Sequence, residues 1–96
     1  MGRVTHVAFS ITVVGKVQGV GFRAFAQDSA TRLGLAGWVA NQRDGSVLVE
    51  VSGGAAVVVE FVAILRGGPP GSVVSDLRAT PINPGRVAIA GFEIRQ

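Results

Sequence analysis

The chain contains no cysteine. That excludes disulfides, thiolate catalysis and cysteine-ligated metals. It has a single histidine, His6, which cannot form a metal cluster alone. No segment reads as a membrane span: the longest apolar stretch, Ala55 to Leu65, is interrupted by Glu60 and falls well short of the ~20 residues a span needs. The N-terminus lacks a basic region followed by a long apolar run and a cleavage site, so the expected location is cytoplasmic. Charge is sparse as well, at 16% of residues, and no run of basic residues exists. Eight of the nine basic residues are arginines scattered from Arg3 to Arg95, giving a net charge of +3. A nucleic-acid surface needs a patch or stripe, so this charge hints at anionic ligands and no more.

What is present suits a packed interior. Of the 96 residues, 48% are hydrophobic, enough for one domain with one core and too many for disorder. Val7, Phe9, Ile11 and Val13 alternate with smaller or polar residues, which predicts a strand from about Thr5 to Gly15. After a glycine-rich stretch the period changes. Phe22, Phe25, Ala26, Ser29, Ala30 and Leu33 recur at helical spacing, and Gly34 supplies a left-handed stop. Gly37–Asn41 and Ser46–Ser52 read as strands, joined by a turn in which Asp44-Gly45 is the strongest hairpin signal. Gly53-Gly54 breaks the second of these. A second helix follows, marked by Val57 or Val58, Phe61, Ile64 and Leu65 and stopped by Gly67-Gly68-Pro69-Pro70-Gly71. Ser72–Thr80 reads as a strand, Pro81–Gly85 as a loop and Val87–Arg95 as a last extended segment. The order β-α-β-β-α-β plus a terminal strand predicts an α+β fold, the ferredoxin-like two-layer sandwich with two helices on one face of a mainly antiparallel sheet.

Gly15, Gly19 and Gly21 lie between a strand and a helix start. Successive backbone N–H groups there can converge on one anion, and the helix adds its positive end. Arg23 falls in the first helical turn, where its guanidinium can pair with two phosphate oxygens. A plain strand-to-helix turn with an exposed arginine fits the same residues. Lys16 either attracts the anion or is a solvated loop residue. Asn41 enters the next turn with both a donor and an acceptor, suited to orienting a water, although an Asx turn uses asparagine too. His6 sits near the start of the first strand, roughly 30 Å from Lys16 at the extended rise, and is set aside as a base. Asp28 reads as a solvated helix residue and Asp44 as a turn former. Trp38, Phe25 and Phe61 are expected in the core.

Two segments together resemble the acylphosphatase family. Gly15-Lys16-Val17-Gln18-Gly19-Val20-Gly21-Phe22-Arg23 is similar to its first signature. Gly37-Trp38-Val39-Ala40-Asn41, then Asp44-Gly45-Ser46-Val47, is similar to its second. Leu33-Gly34-Leu35, Gly68-Pro69-Pro70-Gly71 and Gly91-Phe92-Glu93-Ile94-Arg95 also follow its pattern, so the likeness spans almost the whole chain. Ala40, Leu48 and the non-aromatic ending Arg95-Gln96 depart from it without touching Arg23 or Asn41. The resemblance implies metal-free hydrolysis of acyl phosphates, with no cofactor and no phosphoenzyme. In it, Arg23 and the backbone N–H groups of Gln18, Gly19, Val20, Gly21, Phe22 and Arg23 bind the phosphoryl group, and Asn41 positions the attacking water. It implies a small-molecule acyl phosphate as substrate and inorganic phosphate as product or inhibitor. The expected protein is a monomer with no nucleic-acid or membrane partner.

The chemistry fits the residues independently. Phosphoryl transfer needs mainly positioning and charge stabilisation. A carboxylate, with a pKa of about 4, leaves without a general acid, whereas an alkoxide would want one. The competing reading is a non-catalytic module binding phosphate or carbamoyl phosphate. A nucleic-acid-binding sheet is the third, and it lacks the interleaved strand aromatics that stack bases.

Overall fold

The alternation read in the first strand is a division between two faces of a sheet. In the computed structural model, which describes residues 5–96, β1 spans His6–Lys16. Its Ile11 and Val13 are buried beneath the helices, while Ser10 and Thr12 turn to the other side. The remaining elements are α1 (Phe22–Arg32), β2 (Ala36–Asn41), β3 (Val47–Gly54), α2 (Ala55–Gly67), β4 (Val73–Ile82), a 3-10 turn at Pro84–Arg86 and β5 (Phe92–Arg95). The sheet order is β4-β1-β3-β2-β5. Every pairing is antiparallel except β2 with β5. Two helices on a five-stranded mixed sheet make the ferredoxin-like α+β fold.

The helices bury one stripe each. In α1 it is Phe22, Ala26, Ser29 and Ala30, and in α2 it is Val58, Phe61 and Leu65, both at helical spacing. The apolar members of both stripes meet Val39, Val47, Val49 and Val51 from the sheet in one cluster. Fully burying one such side chain contributes about 1.5–3 kcal/mol, so this layer holds both helices in place. No helix among the described residues is long and apolar enough to cross a membrane.

Several boundaries differ from the sequence reading, each for a physical reason. β3 continues through Gly53 and Gly54, because both still pair with β1, opposite Val7 and His6. The missing Cβ at Gly53 makes room for the Leu35 side chain. The helix therefore starts at Ala55, ahead of Val57. β4 runs past Pro81 to Ile82, which an edge strand allows because one of its sides needs no N–H. The extended segment expected from Val87 shrinks to Phe92–Arg95. The chain before it crosses from one sheet edge to the other, tethered where Arg86 Nη2 meets the buried Glu50 Oε2 at 2.9 Å.

Phe61 is fully buried, as expected. Trp38 and Phe25 are only half-buried. Trp38 lies opposite Glu50 on the face that carries no helix, with the Arg95 guanidinium 4.9 Å from its ring centroid. Phe25 leans on Phe22 at 5.9 Å between centroids, at the edge of the helix stripe.

Candidate active site

The site starts where β1 ends. A register shift between Val14 and Gly15 leaves Ser75 of β4 as an extra residue, and the ladder resumes at Gly15–Val74 and Lys16–Val73. Gly15 has φ 136°, and a Cβ there would run into the Val73 carbonyl oxygen, so only glycine lets the two strands lie this close. Val17 then drops into the core and anchors the loop that follows.

Within that loop Gly19 (φ 74°) and Gly21 (φ 77°) take left-handed conformations, while Val20 between them does not. Alternating signs of φ turn successive N–H groups toward a common point, which makes an anion nest. Gly21 is also the N-cap of α1. Glycine offers no capping side chain, and the first turn holds no acidic residue. The first donors of the helix are thus left to solvent or a ligand, with the positive end of the dipole behind them. Nothing lies within 4 Å of a Cβ built at either glycine, so dihedral freedom and not crowding requires them.

Arg23 is the second residue of α1, half-buried, and takes part in no ion pair among the described residues. Asn41 closes β2, paired with Val47 across the hairpin. The turn beyond it is tightly bonded. Gln42 N–H donates to the Ser46 carbonyl at 2.9 Å, and Gly45 N–H to the Gln42 carbonyl at 3.2 Å. Asp44 Oδ1 accepts from both the Ser46 backbone N–H (3.0 Å) and hydroxyl (2.6 Å). The Ser46 hydroxyl bond, then the backbone bond, hold the Asp44 carboxyl below its ordinary pKa.

These elements enclose a pocket of about 380 Å³, within the small end of the usual range for ligand sites. Gly19, Gly21, Phe22, Arg23 and Asn41 all line it. Two residues of the expected binding set do not. The Gln18 side chain turns away to the hairpin, and Val20 packs against the core. Ile94 and Gln96 line the pocket without having been singled out in the sequence. β5 brings them there by pairing in parallel with β2, and no local pattern announces that pairing. His6 begins β1 beside Gly54, at the far end of the strand from the pocket. Among the described residues no group of three or more His, Asp or Glu side chains is placed to hold a metal ion.

A family model described as Acylphosphatase matches residues 9–94. The chain belongs to the acylphosphatase family. Acylphosphatase from Rhodospirillum rubrum is 46% identical over 72 residues, covering 75% of this chain and 79% of the relative. Acylphosphatase 2 from Ralstonia nicotianae is 45% identical over 87 residues, 88% of each. The crystal structure of acylphosphatase from Bacillus subtilis superposes with a TM-score of 0.89 at 37% identity, covering 94% of this chain and 99% of that one. Full-length HypF, crystallised in a phosphate- and nucleotide-bound form, contains a similar fold: TM-score 0.83 and 28% identity over all of this chain but 13% of HypF. Membership of the acylphosphatase family and the shared fold support hydrolysis of acyl phosphates as this chain's activity.

Proposed function

We propose that the pocket between Gly19 and Asn41 hydrolyses acyl phosphates by direct attack of water on phosphorus. The observation that supports it is one pocket lined by the glycines of the nest, the uncapped helix start, an arginine in no ion pair among the described residues, and Asn41. In this reading the backbone N–H groups from Gln18 to Arg23 and the Arg23 guanidinium hold the phosphoryl oxygens. They are set before the reaction, so they stabilise the transition-state charge without reorganising. The Asn41 side chain orients a water against phosphorus. The new P–O bond forms from that water, and the bond from phosphorus to the acyl oxygen breaks with its electron pair staying on the carboxylate. The water's proton passes to a phosphoryl oxygen or to solvent. Products are a carboxylate and inorganic phosphate, and a leaving group this weakly basic needs no acid.

In-line geometry also fixes the exit. Entering and leaving oxygens lie on opposite sides of phosphorus. The acyl group therefore departs on the side of phosphorus away from the Asn41-held water.

The test is steady-state release of phosphate from benzoyl phosphate, with phenyl phosphate as the ester control. Turnover of the anhydride alone is expected. Phosphate binding without turnover would leave a binding module in place of an enzyme. In Asn41→Ala, kcat is expected to fall about 100-fold or more while phosphate affinity stays within a few-fold, because only the attacking water loses its guide. Full activity in that variant would remove Asn41 from the mechanism.

A further inference from the structure

The pocket needs two things held at a set distance: the nest that takes the phosphoryl group and the amide that takes the water. They sit on parts of the chain with no backbone connection. β1 and β2 are not neighbours in the sheet, since β3 lies between them. No backbone hydrogen bond joins the 17–21 loop to residues 41–46.

One side chain spans the gap. Gln18 Nε2 donates to the Gln42 carbonyl at 2.7 Å and to the Ser46 carbonyl at 2.9 Å. A primary amide has two N–H donors, and both are used. The two facing groups are carbonyls, which only accept, so the amide nitrogen must face them and the orientation is set by chemistry. The two carbonyls belong to the same closed turn. The Ser46 carbonyl also accepts from Gln42 N–H, and the Gln42 carbonyl also accepts from Gly45 N–H. Gln42 Nε2 adds a bond to the Ser46 hydroxyl at 2.9 Å. Gln18 directly precedes Gly19 of the nest, and Gln42 directly follows Asn41. The amide thus ties the residue before the anion holder to the residue after the water holder.

We propose that Gln18 is a positioning residue: its side-chain amide sets the separation and angle between the phosphoryl nest and Asn41. This role is distinct from any contact of the Gln18 backbone N–H with phosphate, and it rests on the hydrolytic reading above. A misplacement of about 1 Å costs a reaction of this kind about 100-fold.

The experiment compares wild type with Gln18→Met and Gln18→Glu, both close to glutamine in length. Gln18→Met removes the donors and keeps the bulk. Gln18→Glu turns a carboxylate on two carbonyl oxygens and pushes the hairpin away. Expected are a kcat for benzoyl phosphate about tenfold to 100-fold lower in Gln18→Met and lower again in Gln18→Glu, with KM and the inhibition constant for inorganic phosphate within about threefold of wild type. A second readout is independent of turnover. On titration with inorganic phosphate, the Asn41 side-chain amide resonance is expected to shift in wild type. In Gln18→Met it should shift far less, although backbone resonances of Gly19 and Gly21 still report binding. Unchanged kcat in Gln18→Met with an unchanged Asn41 response would overturn the proposal, as would phosphate affinity falling in parallel with kcat. An inactive wild type would instead overturn the hydrolytic reading, while the resonance comparison still decides the role of Gln18.

Discussion

Two junctions in this chain lead a strand directly toward a helix, and the first of them lines the pocket that holds Arg23 and Asn41. Between β1 and α1 lie five residues, Val17–Gly21; between β3 and α2 there are none. Both helices have a glycine N-cap without a side-chain bond and no acidic residue in the first turn. By composition and topology the two are close to equivalent. They differ in backbone conformation and in what covers the helix end. Gly21 is left-handed, at φ 77° and ψ 21°, whereas Gly54 is extended, at φ −62° and ψ 138°. The first donor of α2, Ala55 N–H, is bonded to the Thr5 carbonyl at 2.8 Å. At this second junction the chain itself takes the first of the donors an anion would use. A helix start becomes a binding site only when its donors are left free and a loop adds more of them.

The largest expected effect tests the charge that sets the first junction apart. Arg23→Gln should lower kcat/KM for benzoyl phosphate by about 1000-fold and weaken phosphate binding, since a positioned donor in such a site is worth about 100- to 1000-fold. The matching position in α2 is Ala56, which is exposed and second in its helix. Ala56→Arg should fold normally and create no second phosphate site by calorimetry. A second site would show that the arginine, and not the open nest, distinguishes the two junctions.

The glycines give an intermediate effect. Gly21→Ala forces a Cβ into the left-handed region at a cost of about 1 kcal/mol, or reorients the nest donors to avoid it. Activity should fall at least tenfold, with a lowered thermal midpoint. Gly54→Ala places alanine in an extended conformation any residue adopts, and activity should stay within twofold of wild type. Equal losses in both variants would erase the contrast.

The smallest effect concerns the hairpin that faces the first junction. Asp44 has a folded-state pKa below its ordinary value, so its contribution to stability is present above the ordinary carboxylate range and is lost as pH falls through the folded pKa. Wild type should therefore exceed Asp44→Asn in thermal midpoint at pH 7, and the difference should close as the pH is taken below about 4. The effect is small because Asp44 is exposed. A difference that grows on acidification would contradict the bonding of the Asp44–Ser46 turn.

Much of this was legible in the residues. The period-2 and helical patterns gave the element order, because burial on one face repeats at the pitch of the element itself. Asp44-Gly45 announced its turn, and the glycines at 15, 19 and 21 announced an unusual loop. Other features depended on neighbours far along the chain. Trp38 looked like core but faces the side no helix covers. Gly53-Gly54 looked like a break but remains paired with β1. The Gln18 side chain was indistinguishable from any polar loop residue, because its partners lie 24 and 28 residues away.

The sequence by itself thus determined the order of strands and helices, the glycine-rich loop and the family, all of which depend on local conformation and on ordered motifs. Only the tertiary structure decided which junction stays open, that Ile94 and Gln96 wall the pocket, and that the amide of Gln18 bridges to the hairpin of Asn41. Those outcomes follow from sheet order and from long-range hydrogen bonds, in which the partner of a residue is fixed by the packing of the whole chain and not by its neighbours in sequence.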